Sequence, residues 1–193
     1  MRRRFIVLLL LEIAVFATGA NAYAAGGNYV FAGATAAEQR QVRSALDASA
    51  FPWDLVPARV TINVGAYDVS HAAPGQIWLD RDLLRAGRFG WAVVQDEYAH
   101  QLDFFRFDWS MRARLNLEFG ARDWCYGVSG LAHGEYGCER FSSTLVWSYW
   151  PSRNNAYRPT TPDDESAAMA PTRFRSLMAE LVGAPRTATG ARL

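Results

Sequence analysis

The residues 89–105, FGWAVVQDEYAHQLDFF, hold the acids and the histidine whose spacing makes the most specific chemical proposal in the chain. Wound as a helix, this segment places Asp96 and His100 one turn apart on the same face, with Glu97 beside them. Such a set can supply two ligands to a metal ion and a carboxylate that takes a proton from a bound water. The alternative is a solvated helix face on which Asp96 and His100 form an i,i+4 ion pair.

Asp103 lies on the same line of this helix as Asp96 and His100, two turns after Asp96. The opposite side is a continuous apolar stripe, a pattern that predicts contact with a core. The members of the stripe are Trp91, Val94, Tyr98, Leu102 and Phe105. Apolar residues also flank the polar line, so we expect its acids to be shielded from free solvation. These flanking residues are Phe89, Val93 and Phe104.

A later segment at residues 136–152, YGCERFSSTLVWSYWPS, adds Glu139 on a predicted helix. Together with DEYAH it resembles the gluzincin metallopeptidases, in which H-E-x-x-H on one helix is completed by a glutamate on a later helix. The resemblance spans roughly residues 60–150. It implies that Asp96, His100 and Glu139 bind Zn²⁺ or another divalent ion, and that Glu97 is the general base. It also implies a small α+β, zincin-like domain, with a short sheet packed on the active-site helix and on a second, Glu-bearing helix.

Two positions depart from the gluzincin pattern. Asp96 replaces the first histidine, and Ser143 stands where many gluzincins have an aspartate that braces a histidine ligand. The function that the resemblance implies is a secreted metallopeptidase-like hydrolase that cleaves a peptide or protein substrate with metal-activated water. The alternative, which Asp96 favours, is a catalytically inactive relative without a required ion, serving as an extracellular binding or structural module.

Four glycines make residues 126–137 a loop with enough conformational freedom to line or cover a site, and His133 lies within it. By resemblance to thermolysin-like enzymes, His133 is a candidate catalytic residue that donates a hydrogen bond to an oxyanion. It could also replace the missing nitrogen ligand. The remaining interpretation is an exposed loop histidine, because no fixed spacing ties it to DEYAH. Tyr126, Tyr136 and Tyr149 are weaker candidates.

The two cysteines, Cys125 and Cys138, are predicted to form a disulfide, since the count is even and the chain carries an export signal. The bridge would close a short loop, worth about 3 kcal/mol in the chain-entropy estimate. It would also anchor the residue next to Glu139. Two buried free thiols are the alternative.

Residues 1–24 have the three parts of a secretory signal peptide: an arginine triplet, an apolar run and small-residue cleavage sites. An uncleaved N-terminal anchor is the alternative, although Glu12 interrupts the apolar run. We therefore expect a secreted or cell-envelope protein. Residues 25–182 are predicted to form a single metallopeptidase-like domain, and residues 183–193 a flexible tail.

The charge is nearly balanced, at +1, and no basic run occurs beyond the signal peptide. Nucleic acid is therefore not expected as a partner. No later segment has the 18 consecutive apolar residues of a membrane span, so no membrane contact is expected apart from an uncleaved anchor. The expected partner is the peptide or protein substrate, and the sequence indicates no oligomeric state.

Strands and helices are predicted around this site. Residues 59–65, RVTINVG, alternate in polarity like a half-buried strand, and residues 76–80, QIWLD, form a second short strand. QIWLD resembles the gluzincin strand that lines the cleft, and plain sheet is its alternative role. Helices are predicted over residues 35–50, 110–119 and 172–182. The proline-containing stretch at residues 151–165 is predicted to be a polar linker.

Overall fold

The computed structural model describes residues 26–188. The predicted signal peptide, residues 1–24, lies outside this range, as do residues 189–193 of the predicted tail. Within residues 26–188, no helix combines the length and the apolar character that a membrane crossing requires.

The sheet in this part of the chain has four strands in the order β1-β2-β4-β3. The first three in that order run parallel, and the short β3 pairs antiparallel with β4. The strands are β1 Tyr29–Ala32, β2 Val60–Gly65, β3 His71–Ala73 and β4 Gln76–Asp80. The alternation predicted for β2 is confirmed, because Val60, Ile62 and Val64 are buried and the residues between them are half-buried.

Six α-helices accompany the sheet over residues 26–188, so the predicted α+β class is confirmed. They are α1 Ala36–Ala48, α2 Arg81–Arg85, α3 Arg88–Arg106, α4 Trp109–Phe119, α5 Gly137–Tyr149 and α6 Pro171–Val182. The capping box predicted at the start of α1 is present, with Thr35 and Glu38 each accepting from the other's backbone amide. Short 3₁₀ turns at Trp53–Leu55, His133–Glu135 and Glu165–Ala167 complete the elements.

The central helix, α3, packs against α1, α5 and the β3–β4 side of the sheet. It begins after Gly87, whose φ of 66° is a conformation that favours glycine. Its predicted apolar stripe is buried at Val94, Tyr98 and Leu102, whereas Phe105 near its end is 38 % exposed. Because neighbours also surround the other side of α3, its polar residues are enclosed as well.

QIWLD lies inside the sheet and is not the strand at its edge. It forms β4, which pairs with β2 on one side and with β3 on the other. The edge strand beside the cleft is therefore β3, only three residues long. The side chain of Gln101 on α3 fixes the β3–β4 turn, donating to the Ala73 carbonyl at 3.0 Å and accepting from the Gly75 amide at 2.8 Å.

The stretch predicted as a polar linker packs onto the domain instead. Ser152 and Asn155 are 5 % and 4 % exposed. The Asn155 amide donates to the Trp150 carbonyl at 2.8 Å, and its side-chain oxygen accepts from the Tyr157 amide at 2.9 Å. The loop is ordered because one buried amide side chain satisfies several backbone groups, a pattern that polar composition alone does not reveal.

Packing continues past α6 into the predicted tail. Gly183 ends the helix in the left-handed conformation, and Ala184 is 3 % exposed. The Tyr149 hydroxyl donates to the Pro185 carbonyl at 2.9 Å, and the Arg175 guanidinium donates to the Arg186 carbonyl at 3.0 Å. The chain therefore remains bound to the domain as far as Arg186.

Candidate metal centre

Two helices, α3 and α5, bring the predicted ligand residues together. His100 Nε2 lies 3.4 Å from Glu139 Oε2 and 4.0 Å from Asp96 Oδ2. Glu97 lines the same cleft from the next position of α3. All four residues are buried, with 5–7 % of their surface exposed. The structure thus places Glu139 and Asp96 on either side of the His100 ring nitrogen, with Asp96 the more distant of the two. The role of these residues as metal ligands stays a prediction.

These side chains line a cleft of about 730 Å³. One wall is the sheet edge and the loop before it, residues 68–72, and another is the glycine-rich loop, through Tyr126 and His133. Tyr157 closes the cleft from the loop that follows α5. Among the described residues no arginine lines this cleft, so its charged lining consists of carboxyls and imidazoles.

Asp96 is an incompletely satisfied buried acid. Its Oδ1 atom is enclosed and has no hydrogen-bond partner among the described residues. Burial raises the pKa of Asp96 to about 6, even though the nearby charge of His100 and the Ser142 hydroxyl act in the opposite direction. A buried carboxylate oxygen without a donor is costly, which suits a group that receives a cation.

The pKa of Glu97 is raised further above its ordinary value than the pKa of Asp96. Burial, followed by the charge of Asp96, raises the pKa of Glu97 to about 8. The imidazoles of His100 and His133 partly oppose this shift. A carboxyl with a pKa near neutrality in a cleft is typical of general acid–base groups.

His100 and Glu139 stabilise each other's charge. Burial opposes the charged form of His100, but the Glu139 hydrogen bond and the charge of Asp96 raise its pKa to about 9. Burial likewise opposes ionisation of Glu139, yet the hydrogen bond and charge of His100 hold its pKa below the usual value. Without a cation from outside, the histidine proton serves as the positive charge of this site. A metal ion would take the place of that proton.

His133, predicted only by resemblance, reaches the same place from the glycine-rich loop. Its Nε2 lies 3.2 Å from Glu139 Oε2, and its Nδ1 lies 2.8 Å from Glu165 Oε1. The hydrogen bond to Glu165 raises the pKa of His133 to about 9. The ring is 60 % exposed, so it borders the cleft opening. The geometry is compatible with a donor to bound substrate, and this catalytic role stays a prediction.

The predicted disulfide is confirmed, with Cys125 and Cys138 sulfurs 2.14 Å apart and Cα atoms 5.4 Å apart. His100, Cys138 and Glu139 form a buried group whose ligand atoms lie within 4.8 Å of one another and could hold a metal ion. A bridged sulfur is not a thiolate, so Cys138 contributes little charge to this group while the disulfide is intact. His100 and Glu139 are then its effective donors.

Sequence reasoning missed two residues of the site: Tyr157, which lines the cleft, and Glu165, which is bound to His133. Both come from the segment that was predicted as a linker, and neither has a fixed spacing from DEYAH. The Tyr157 side chain lies beside Asp96 and Glu97, and burial raises the pKa of its hydroxyl. The sequence signal that could have found Tyr157 is its aromatic side chain inside an otherwise polar stretch.

Among residues 26–188, Ser143, at the position of the gluzincin bracing aspartate, makes no hydrogen bond to His100. Its hydroxyl donates instead to the Glu139 carbonyl one turn back, at 2.8 Å. This bond stays within α5, where a serine often bonds the preceding turn. His100 is therefore held mainly by Glu139 and by its stacking on Phe104.

Comparison of the chain with protein-family models, curated proteins and solved structures gives no match.

Proposed function

We propose that the protein is an exported, metal-dependent hydrolase of peptide bonds. Asp96, His100 and Glu139 are the proposed ligands, and Glu97 is the proposed general base. The observation that carries the proposal is the buried approach of His100 on α3 to Glu139 on α5, 3.4 Å apart, with Asp96 4.0 Å from the same ring nitrogen and one of its oxygens lacking a partner. An export signal at residues 1–24 and the disulfide support a location outside the cytoplasm.

The donor set suits a divalent cation. Two carboxylates and one imidazole around such an ion have a formal charge sum of zero, whereas two histidines and one glutamate leave a net charge of +1. Carboxylate donors are hard ligands, so this set narrows the preference for zinc over oxygen-seeking ions such as manganese or calcium. We infer that hydrolysis at neutral pH is slow, since the neutral site activates water less strongly.

When bound, the ion supplies Lewis acidity, polarising the substrate carbonyl and a water molecule. Glu97 takes the water proton and passes it to the leaving amine. Glu97 must be ionised to accept this proton, and positive charge at its neighbouring ligands favours its ionised form. His133, at the mouth of the cleft, donates a hydrogen bond to the developing oxyanion.

The edge strand supports a peptide as the substrate. β3 has β4 on one side only, and its residues His71 and Ala72 line the cleft. The free side of an edge strand offers backbone groups to an extended chain, which then pairs by strand addition. The stacked ring pair of His71 and Trp78, 4.7 Å between centroids, holds this part of the sheet surface in place.

The test is zinc and manganese titration by calorimetry, together with peptide hydrolysis assays on a mixed peptide library. We expect His100→Ala and Glu139→Gln to lower metal affinity at least tenfold. Glu97→Gln should keep metal affinity and abolish hydrolysis. Glu180→Gln is the matched control, because Glu180 pairs with Arg114 on the exposed surface. Equal metal affinity in all variants would reject the metal site.

A catalytically inactive binding module is the second candidate, and the carboxylate at position 96 is the observation that favours it. On this alternative the cleft still binds a polypeptide. Metal binding without any hydrolysis, in both the natural chain and Asp96→His, would favour this module over the enzyme.

A further inference from the structure

A second pocket, separate from the metal centre, is lined by three arginines. Arg88, at the start of α3, faces Arg153 and Arg158 across a cavity of about 800 Å³. Arg153 and Arg158 belong to the loop that follows α5. We call this cavity the arginine pocket. Phe89, 58 % exposed, also lines it. Among the described residues, no carboxylate lines the arginine pocket.

The three guanidinium groups have no ion-pair partner among residues 26–188, unlike many other arginines of the domain. Arg81, Arg112, Arg114, Arg122 and Arg173 each pair with an acid. Grouping three unpaired positive charges at one cavity is unfavourable for the free protein. It becomes favourable when an anion enters, since planar guanidinium groups bind carboxylates through paired hydrogen bonds.

The scaffold orders Arg88 and the backbone of the loop that carries the other two arginines. The guanidinium of Arg88 lies over the Trp91 ring, 5.4 Å from its centroid. Arg153 and Arg158 flank the loop that the buried Asn155 ties to the end of α5. The loop backbone is therefore ordered before a ligand binds, whereas the exposed side chains of Arg153 and Arg158 become ordered on binding.

The arginine pocket adjoins the metal centre. Val93 of α3 and Tyr157 line the cleft, while Phe89, one turn earlier, and Arg158 line the arginine pocket. Phe89 precedes Glu97 by eight residues on α3, or about 12 Å along the helix axis. An extended peptide covers that distance in about four residues.

We propose that the arginine pocket binds acidic side chains of a polypeptide that occupies the adjoining cleft, about four residues from the bond at Glu97. This inference rests on the proposed function for the position of the cleaved bond. The binding of acidic peptide itself does not depend on metal or hydrolysis. The site therefore selects substrates with glutamate or aspartate on one side of the cleavage point.

The test measures fluorescence anisotropy of a labelled octapeptide of alternating glutamate and alanine, in EDTA so that no hydrolysis occurs. The matched probe has glutamine in place of glutamate. We expect the double variant Arg153→Glu, Arg158→Glu to weaken binding of the glutamate peptide at least tenfold. The control is Arg59→Glu, Arg106→Glu, which changes the net charge equally at two exposed arginines outside the pocket.

Equal binding of the two peptides, or equal weakening in the two double variants, would overturn the proposal. So would a single-stranded DNA oligomer that binds more tightly than the glutamate peptide and loses affinity in the pocket variant. The enzyme proposal fails separately, through metal titration and hydrolysis. Binding of the acidic peptide without binding of metal would therefore support the proposal for the arginine pocket and reject only the proposed catalytic centre beside it.

Discussion

Two buried aspartates on α3, Asp96 and Asp103, share one line of the helix and differ in how the fold satisfies them. Asp103 accepts from Arg112 Nε at 2.8 Å and from Trp124 Nε1 at 3.1 and 3.2 Å. Asp96 has one buried oxygen without a partner, and its nearest cation is His100 at 4.0 Å. The exposed fractions are 2 % for Asp103 and 6 % for Asp96.

We interpret the difference as that between a structural acid, Asp103, and the proposed metal ligand, Asp96. Burial of a carboxylate costs free energy unless donors or a positive charge compensate it. The fold compensates Asp103 with a guanidinium and an indole, so that residue joins α3 to α4 and to the segment before the bridge. It leaves Asp96 open towards a cleft, as expected for a group completed by something that the chain does not supply.

Removing the disulfide disturbs both aspartates at once, because Trp124 precedes Cys125 and Glu139 follows Cys138. We expect Cys125→Ser, Cys138→Ser to lower the free energy of unfolding by about 3 kcal/mol. Metal affinity should fall as well, since Glu139 loses its anchor. Urea unfolding and zinc titration check the two effects. Unchanged metal affinity would show that α5 alone positions Glu139.

Asp103→Asn tests the contribution to stability of the buried aspartate whose oxygens have hydrogen-bond donors. We expect a loss of about 2 kcal/mol in the free energy of unfolding, because Arg112 keeps its charge and loses its partner. The loss is moderated because the Arg112 side chain is 34 % exposed. Urea unfolding measures it. Asp82→Asn, in the exposed pair with Arg85, is the control and should change stability by less than about 0.5 kcal/mol.

The sequence predicted the helices that carry the site but not the groups that enclose it. α3 and α5 have strong apolar faces, so Asp96, His100 and Glu139 could be assigned to them before the structure was known. Nothing local distinguished Asp96 from Asp103, because their partners come from elsewhere along the chain. The Trp124 bond to Asp103 spans 21 residues.

The loops were harder to predict for the same reason. Asn155 orders the segment after α5 by bonding backbone groups, and such polar interactions leave no periodic signal in the sequence. The edge strand β3 has only three residues, too few for alternation to show. His133 lies only six residues before Glu139, but its ring is also held by Glu165, 32 residues away, and sequence spacing does not predict that contact.

Asp96→His tests whether the residue at position 96 is a metal ligand. A neutral imidazole restores the two-histidine set and leaves a site with a net positive charge once zinc is bound. We expect zinc affinity to rise at least tenfold and any peptide hydrolysis to increase. Adding Glu97→Gln should keep the gain in affinity and remove the hydrolysis. A folded Asp96→His variant without any gain in affinity would show that position 96 is no ligand.

Asp96→Asn, measured in EDTA, completes the comparison with the smallest expected effect. The substitution removes a buried carboxylate of which the fold leaves one oxygen without a partner, and it preserves the shape of the side chain. We expect the free energy of unfolding to stay the same or to rise by about 0.5–1 kcal/mol, since functional groups are commonly retained at a cost in stability. Urea unfolding of Asp96→Asn beside Asp103→Asn measures the contrast directly.

With excess zinc, the natural chain should become more stable than Asp96→Asn, because zinc binding stabilises the folded natural chain and the variant loses part of that binding free energy. A loss in EDTA as large as that of Asp103→Asn would mean that Asp96 is a structural acid like its neighbour two turns away.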